Sequence, residues 1–599
     1  MEKVADSAGG AGASQGAFPR GVLARLAPWC APWLALPYGF ALFLLLGRQA
    51  DLPGLLHDDA VYVAMARGIE QGLGPVDTHL GDDARTARFP PLYPALLAAT
   101  RAPLGIDRGG VAGSYRWVAL NGVLLGIAWF AFVHWLIRWR KVAPLVALSI
   151  AAASFTLPHL LGLAQHLMSE CLFLALLCIA LPLHERAAER PTGARLLLAG
   201  FVAGLLPATR TLGAAAVAAF VMAQWRAQRR AQRRSPTAAW RAPALFAVGA
   251  ALPWLAATLW SATAANGAAS PLYGPDYGEL LAPLRELPFV AWVNAVRFAD
   301  WLAYAFAPRW PLADGTSVTS ALLRLLPAAL LVAAALVDTA RTLRRREPLP
   351  THRLLLAALL AVQLAWPFHD LRFVLPLAPF VALAAATLLE RAVGRGRNAL
   401  VVAPLLALAA WNAPLGWQFL HAADGSERAA FFGLSLPVEP FDATATELRR
   451  RADLARTGSG TTPAAAPSTP TRPPAAACTL DSGLALWSGV RSVSAWRNDR
   501  PLEEGYLGRE GDFARLYYRA LPPPEAAERM AADAEPILAE YARLGVRWLV
   551  LPRLAGAGMP SHHAQLDRLL RDERSRPQPR LRPIWRTPGG EFELWEFTP

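Results

Sequence analysis

Residues 196–225 read LLLAGFVAGLLPATRTLGAAAVAAFVMAQW, thirty residues whose only charge is Arg210, near the middle. As one helix the stretch would bury Arg210 at mid-membrane. It would also send Arg226, Arg229, Arg230, Arg233, Arg234 and Arg241 to the outer side. As two short helices meeting near Arg210, it keeps that cluster inside, as short basic loops prefer. Each half of about 15 residues reaches only ~22 Å at 1.5 Å per residue. The hairpin reading therefore predicts a turn recessed below the outer surface, with Arg210 in the recess.

The rest of the chain fits that topology. Hydrophobic residues make up 54% and charged residues 17%, with mean hydropathy +0.28. That is too apolar for an ordinary soluble chain of 599 residues. The net charge is +14, but the arginines cluster between apolar runs rather than in a basic stripe with aromatics, which argues against nucleic acid. Uncharged Ala27–Gly47 is long enough to span and too long for a signal-peptide core. Further spans are expected at Trp117–Ile137, Val142–Ala164, Leu167–Leu183, the two halves of 196–225, Ala242–Ala265, Leu325–Val337, Leu354–Phe368, Phe373–Leu389 and Ala399–Leu420. That makes about eleven, with the N-terminus inside and a disordered Gly/Ala/Ser-rich tail over residues 1–26. The expected fold is a polytopic α-helical membrane protein, residues 27–420, with outer loops at 48–94 and 266–317. The four cysteines have neither metal-ligand nor disulfide spacing.

Beyond the spans, residues 421–477 connect through a Pro/Ala/Thr-rich linker to an α/β domain, 478–599, on the outer side. In it Glu535–Leu544 and Ser561–Arg571 read as helices and Val546–Leu551 as a buried strand. Leu581–Trp585 and Phe592–Phe597 flank Thr587-Pro588-Gly589-Gly590, a hairpin signal.

Polar groups gather on the outer face. Asp58 and Asp59 follow the first span and open a helical pattern, Val61, Ala64, Met65, Gly68 and Ile69, that Gly72 and Gly74 end. Two solvated acids in a first helical turn would be the plainer reading. Beside a membrane span, a carboxylate can instead serve as general base on a hydroxyl. Arg88, Arg210 and Arg372 each stand at the outer end of an apolar segment. One such arginine is ordinarily snorkelling. Three on one face suggest an anion site, since the guanidinium fork matches phosphate, and a lipid-linked phosphate is the natural anion there. Glu170 lies just inside a span end, placed either to pair with an arginine or to support the cavity. His57, His79, His166 and His369 with the acids are a weak candidate for a divalent cation, lacking tight ligand spacing. No other cofactor is indicated.

The ordered set of motifs resembles the GT-C superfamily of membrane glycosyltransferases, in particular the branch of protein O-mannosyltransferases and aminoarabinose transferases. Asp58-Asp59-Ala60-Val61-Tyr62 is similar to that branch's Asp-Glu-x-x-Tyr motif. Phe89-Pro90-Pro91-Leu92-Tyr93-Pro94, Ser169-Glu170, Thr209-Arg210 and Arg372-Phe373-Val374-Leu375-Pro376 resemble its further pieces in order, with Phe373 standing where relatives carry Tyr. The resemblance implies inverting transfer of a sugar from a polyprenyl-phosphate donor to a glycan, lipid or protein acceptor at the periplasmic face of a bacterial inner membrane. It implies Asp58 as base, with Asp59 and Glu170 supporting. Arg88, Arg210 and Arg372 would hold the donor phosphate, and Tyr62, Tyr93 and His369 would line the substrate cavity. A secondary transporter or lipid flippase is the alternative, but it predicts internal repeats and mid-membrane charges, and no repeat is evident. An inactive scaffold presenting the outer domain is a third reading, which predicts no cavity between Asp58 and Arg372.

Overall fold

The computed structural model describes residues 27–46, 58–78, 87, 89–104, 116–231, 240–265, 349–365, 371–394, 396–421, 438–458, 474–478, 491–494, 534–552, 570, 571 and 573–598, with single residues between them. The tail 1–26, His57, His79, Arg88, His369, the expected span Leu325–Val337, most of the loop 266–317 and most of Ser561–Arg571 lie outside the described residues.

Six described helices are long and apolar enough to cross a membrane: Ala27–Leu46, Val118–Arg138, Glu170–Glu189, Arg241–Ala264, Arg372–Val393 and Asn398–Gln418. Three shorter apolar helices accompany them, Pro144–Phe155, Gly193–Thr209 and Thr351–Ala365. The helices define a multi-pass membrane protein. Large apolar side chains such as Phe40, Leu252, Leu255, Leu259 and Trp417 are exposed on their outer surfaces, where lipid tails rather than water suit them.

In chain order the helical part comprises α1 (Ala35–Leu46), α2 (Asp58–Glu70), α3 (Leu92–Thr100), α4 (Val118–Arg138), α5 (Pro144–Phe155), α6 (Pro158–Leu163), α7 (Glu170–Glu189), α8 (Gly193–Thr209), α9 (Gly213–Ala231), α10 (Arg241–Ala264), α11 (Thr351–Ala365), α12 (Ala378–Val393) and α13 (Asn398–His421). Small residues set the tightest crossings. Gly39 of α1 meets Gly122 and Gly126 of α4 so closely that a Cβ on Gly39 would stand 3.1 Å from the Gly126 Cα. Gly200 and Gly204 of α8 let the carbonyls of Phe246 and Ala250 in α10 occupy the space a methyl would need.

The thirty-residue stretch breaks where Arg210 stands. Helix α8 ends at Thr209, Arg210 is extended (φ −150°, ψ 138°), and α9 begins at Gly213. Two short helices therefore replace one long one. The expected span Val142–Ala164 differs from its reading: it divides into α5 and α6 at Leu157, which is extended ahead of Pro158. The residue before a proline disfavours helix. The expected Phe373–Leu389 span begins as a short turn, Leu371–Val374, and a 3-10 segment, Leu375–Leu377, before α12.

The C-terminal part is a five-stranded sheet between helices. Its elements are α14 (Val438–Gly458), β1 (Ala475–Cys478), β2 (Arg491–Ser494), α15 (Ala534–Leu544), β3 (Val546–Pro552), β4 (Leu581–Arg586) and β5 (Phe592–Phe597). The strand order is β2-β1-β3-β5-β4. The first three strands are parallel, and β5 and β4 are antiparallel to their neighbours. Alternation sorts the faces. Ala475, Ala477, Leu549, Leu551, Trp595 and Phe597 pack under Leu538, Tyr541 and Leu544 of α15. Ala476, Cys478, Trp548, Val550, Phe592 and Leu594 pack under Phe441, Ala445 and Leu448 of α14. The sheet thus starts three residues before the expected boundary at 478, and α14 belongs to its packing. Ala475–Ala477 looks like linker by composition, yet a strand buried on both faces needs only small apolar side chains there.

Candidate active site

Helix α2 begins with both acids in its first turn, where carboxylates offset the positive end of the helix dipole. The two then part. Asp59 is 1% exposed and accepts a hydrogen bond from the Ala60 amide at 2.9 Å. Asp58 is half-buried and forms an ion pair with Arg372, Nη1 to Oδ2 2.5 Å. These residues lie more than three hundred positions apart in sequence.

Glu170 stands in the first turn of α7 and is buried. Its partner is Arg210, at the break between α8 and α9. Arg210 is free to reach it because its backbone has left the helix. Thr209 stays in, its hydroxyl donating to the Leu205 carbonyl at 2.8 Å. Phe373 joins the two pairs. The Arg210 and Arg372 guanidinium carbons lie 5.6 Å and 5.4 Å from its ring centroid, within range of cation–π attraction. Phe can therefore do the packing part of what Tyr does in the motif, without a hydroxyl.

Tyr62 connects α2 to the same place. Its hydroxyl lies 2.9 Å from the Ser169 hydroxyl, and its ring packs on Phe89 and edge-on to Tyr93 at 5.0 and 5.1 Å. Burial raises the Tyr62 hydroxyl well above the ordinary phenol range, with Arg210 opposing and Glu170 and Asp58 adding to the rise. Tyr62 is thus a neutral hydrogen-bonding group among charges.

Amides within the apolar helices hold the frame. Asn121 of α4 donates to the carbonyls of Ala164 and His166 at 2.9 Å each, fixing the segment that leads to Ser169-Glu170. Gln363 of α11 donates to the Phe373 carbonyl at 2.7 Å, and Asn294 donates to Leu364 at 2.9 Å. Each is a lone amide in an apolar environment, and that isolation was the available sequence signal for Asn121 and Gln363.

The described residues thus bring Asp58, Asp59, Tyr62, Tyr93, Glu170, Arg210 and Arg372 around one neighbourhood. Arg88 and His369 are outside them. His166 is buried on the segment fixed by Asn121. Among the described residues no group of three His, Cys, Asp or Glu side chains is arranged to hold a metal ion.

No family model matches the chain, and no curated protein matches it. The chain is similar to the Archaeoglobus fulgidus oligosaccharyltransferase solved with a tethered acceptor peptide, at 13% identity and TM-score 0.46, over 94% of this chain and 74% of that one. It is similar to the same organism's oligosaccharyltransferase AglB in complex with an inhibitory peptide and a dolichol-phosphate, at 13% identity and TM-score 0.45, over 88% of this chain and 70% of that one. It is also similar to the mycobacterial arabinofuranosyltransferase AftD, at 15% identity and TM-score 0.39, over 94% of this chain but 40% of that one.

Proposed function

We propose that the protein is an inverting glycosyltransferase of the GT-C type, moving a sugar from a polyprenyl-phosphate donor to an acceptor hydroxyl at the periplasmic face of a bacterial inner membrane. The observation that carries the reading is the meeting of two acid–arginine pairs, drawn from four distant segments, at Phe373.

In this reading Asp58 is the base. Its carboxylate takes the proton of the acceptor hydroxyl as that oxygen attacks the anomeric carbon. The bond from anomeric carbon to phosphate oxygen breaks, and the electron pair leaves with the lipid phosphate. Arg372 and Arg210 hold the charge that develops there, the kind of preorganised stabilisation that contributes most to such reactions. The resemblance assigns Arg88 to the same phosphate. Asp59 is spent on the α2 N-terminus, so it supports rather than reacts. Glu170 orients Arg210.

The Asp58–Arg372 pairing gives the mechanism an order. Asp58 cannot accept a proton readily while Arg372 neutralises it. A donor phosphate competes for Arg372 and so releases the carboxylate as it binds. Asp58→Asn is expected to cut kcat by about 10²–10⁴-fold, the usual scale of general-base catalysis, while donor binding persists. The assay is transfer from a labelled polyprenyl-phosphate sugar in membranes containing the full chain. Unchanged transfer at normal expression would sink the assignment.

A further inference from the structure

Helices α2 and α3 carry a second feature at the end away from Asp58. Tyr62 meets Tyr93, and eight residues further along each helix Glu70 pairs with Arg101. Equal offsets mean that the two helices run side by side in the same direction. The second contact lies about 12 Å beyond the first at 1.5 Å per residue. At these C-terminal ends lies an open recess of about 630 Å³, lined by Arg67, Glu70, Gln71, Ala98, Arg101 and Ala102.

Arg67 is half-buried at the rim of this recess. Among the described residues its side chain makes no hydrogen bond or ion pair, and Glu70 is engaged by Arg101. Burial and the neighbouring Arg101 both disfavour the charge on Arg67, and Glu70 offsets them only in part. A helix C-terminus does favour cations through its dipole, and that plainer reading covers one arginine on a solvated face. It does not cover two guanidinium groups in one recess that has one carboxylate among the described lining residues. The lining carries a net positive charge, and the volume is in the range of small-molecule sites.

We infer that this recess is a subsite for an anionic group, a phosphate or carboxylate, gripped by Arg67 and Arg101. The guanidinium fork suits such oxygens. An incoming anion would relieve the repulsion between the two arginines and compete with Glu70 for Arg101. The group can belong to a membrane lipid headgroup or to the charged end of a soluble molecule.

The test is titration calorimetry on the full chain in detergent with two probes, inorganic phosphate and short-chain phosphatidylglycerol, with phosphatidylcholine as the zwitterionic control. No donor is present, so the result is independent of whether Asp58 is a base. The double variant R67Q/R101Q is expected to weaken binding at least tenfold. Glu70→Gln, which removes the internal competitor, is expected to tighten it, a gain that misfolding cannot produce. Saturation by phosphate and phosphatidylglycerol alike, weakened in R67Q/R101Q, assigns the site to a soluble anion, and such saturation by phosphatidylglycerol alone assigns it to lipid. Equal affinities in the wild type and both variants, or no saturable binding to the wild type, overturns the inference.

Discussion

Glu170–Arg210 and Asp58–Arg372 each join a carboxylate to an arginine beside the same phenylalanine, but the Glu170 side chain is 1% exposed and the Asp58 side chain 19%. Their arginines are 16% and 23% exposed. A fully desolvated carboxylate must keep its partner, because an isolated buried charge costs far more than the pair gains. A carboxylate with access to solvent can lose its partner cheaply. The contrast makes one pair a fixed arrangement and the other an exchangeable one. An arginine that can be taken from its acid is what a phosphate ligand requires.

Removing arginines one at a time breaks or sharpens this comparison. Arg210→Ala leaves Glu170 buried and unpaired, and is expected to destabilise the protein by about 3–5 kcal/mol. Thermal unfolding of the solubilised chain reads this as a lowered midpoint. Adding Glu170→Gln removes the orphaned charge and is expected to recover most of the loss. No recovery would mean that Arg210 holds the fold through something other than Glu170. Arg372→Ala is expected to change stability by less than about 1 kcal/mol, since Asp58 can be hydrated. Its effect belongs in donor KM. Loss of a charged hydrogen bond to phosphate, about 1.5–3 kcal/mol, corresponds to about a tenfold to hundredfold rise. An equal fall in stability for the two arginine variants would remove the distinction.

Phe373 is the next step down. A ring under two guanidinium groups contributes about 0.5–2 kcal/mol. Phe373→Leu is therefore expected to raise donor KM about twofold to thirtyfold, with kcat little changed, while Phe373→Tyr keeps the ring and the affinity. A kcat loss of the same size in both variants would show that the hydroxyl-free edge, not the face, matters.

The parts of this arrangement that were legible in the sequence are those with local causes. The break at Arg210 follows from one charge in thirty apolar residues and the basic cluster after it. The start of α2 follows from two acids and a helical period, and the end of that helix from Gly72 and Gly74, whose φ values are +74° and +92°. The β4–β5 hairpin follows from Thr587-Pro588-Gly589-Gly590, where Gly590 takes φ +79°. What remained hidden is long-range. Nothing local says that Asp58 pairs with Arg372 rather than Arg210; the choice is made by helix packing. Asn121 and Gln363 stand in the sequence only as isolated amides, and nothing local names the carbonyls they hold. Strand β1 was hidden for a different reason: buried on both faces, it carries no alternation, and its alanines match the linker before it.

The smallest effect expected lies in the sheet, far from the acid–arginine contrast in sequence. Glu573 accepts hydrogen bonds from the Arg580 amide at 2.9 Å and the Arg580 guanidinium at 2.7 Å, with Arg576 at 3.0 Å. Burial alone would raise this carboxyl, but the bonds from Arg580 outweigh it and hold the group below its ordinary value. A carboxyl lowered in the folded state adds stability above its unfolded pKa, about 4.3, and that contribution is lost as pH falls through the folded value. The β4–β5 hairpin should therefore loosen as pH drops below about 5, by less than about 1 kcal/mol from this group, because its arginines are partly solvated. Incubation at each pH followed by pulsed amide labelling at one fixed pH would read the opening. Glu573→Gln should open the hairpin slightly at pH 7 and flatten part of its acid dependence. An identical pH profile in the variant would show that Glu447 and Glu596, which are lowered by their own arginines, carry the dependence instead.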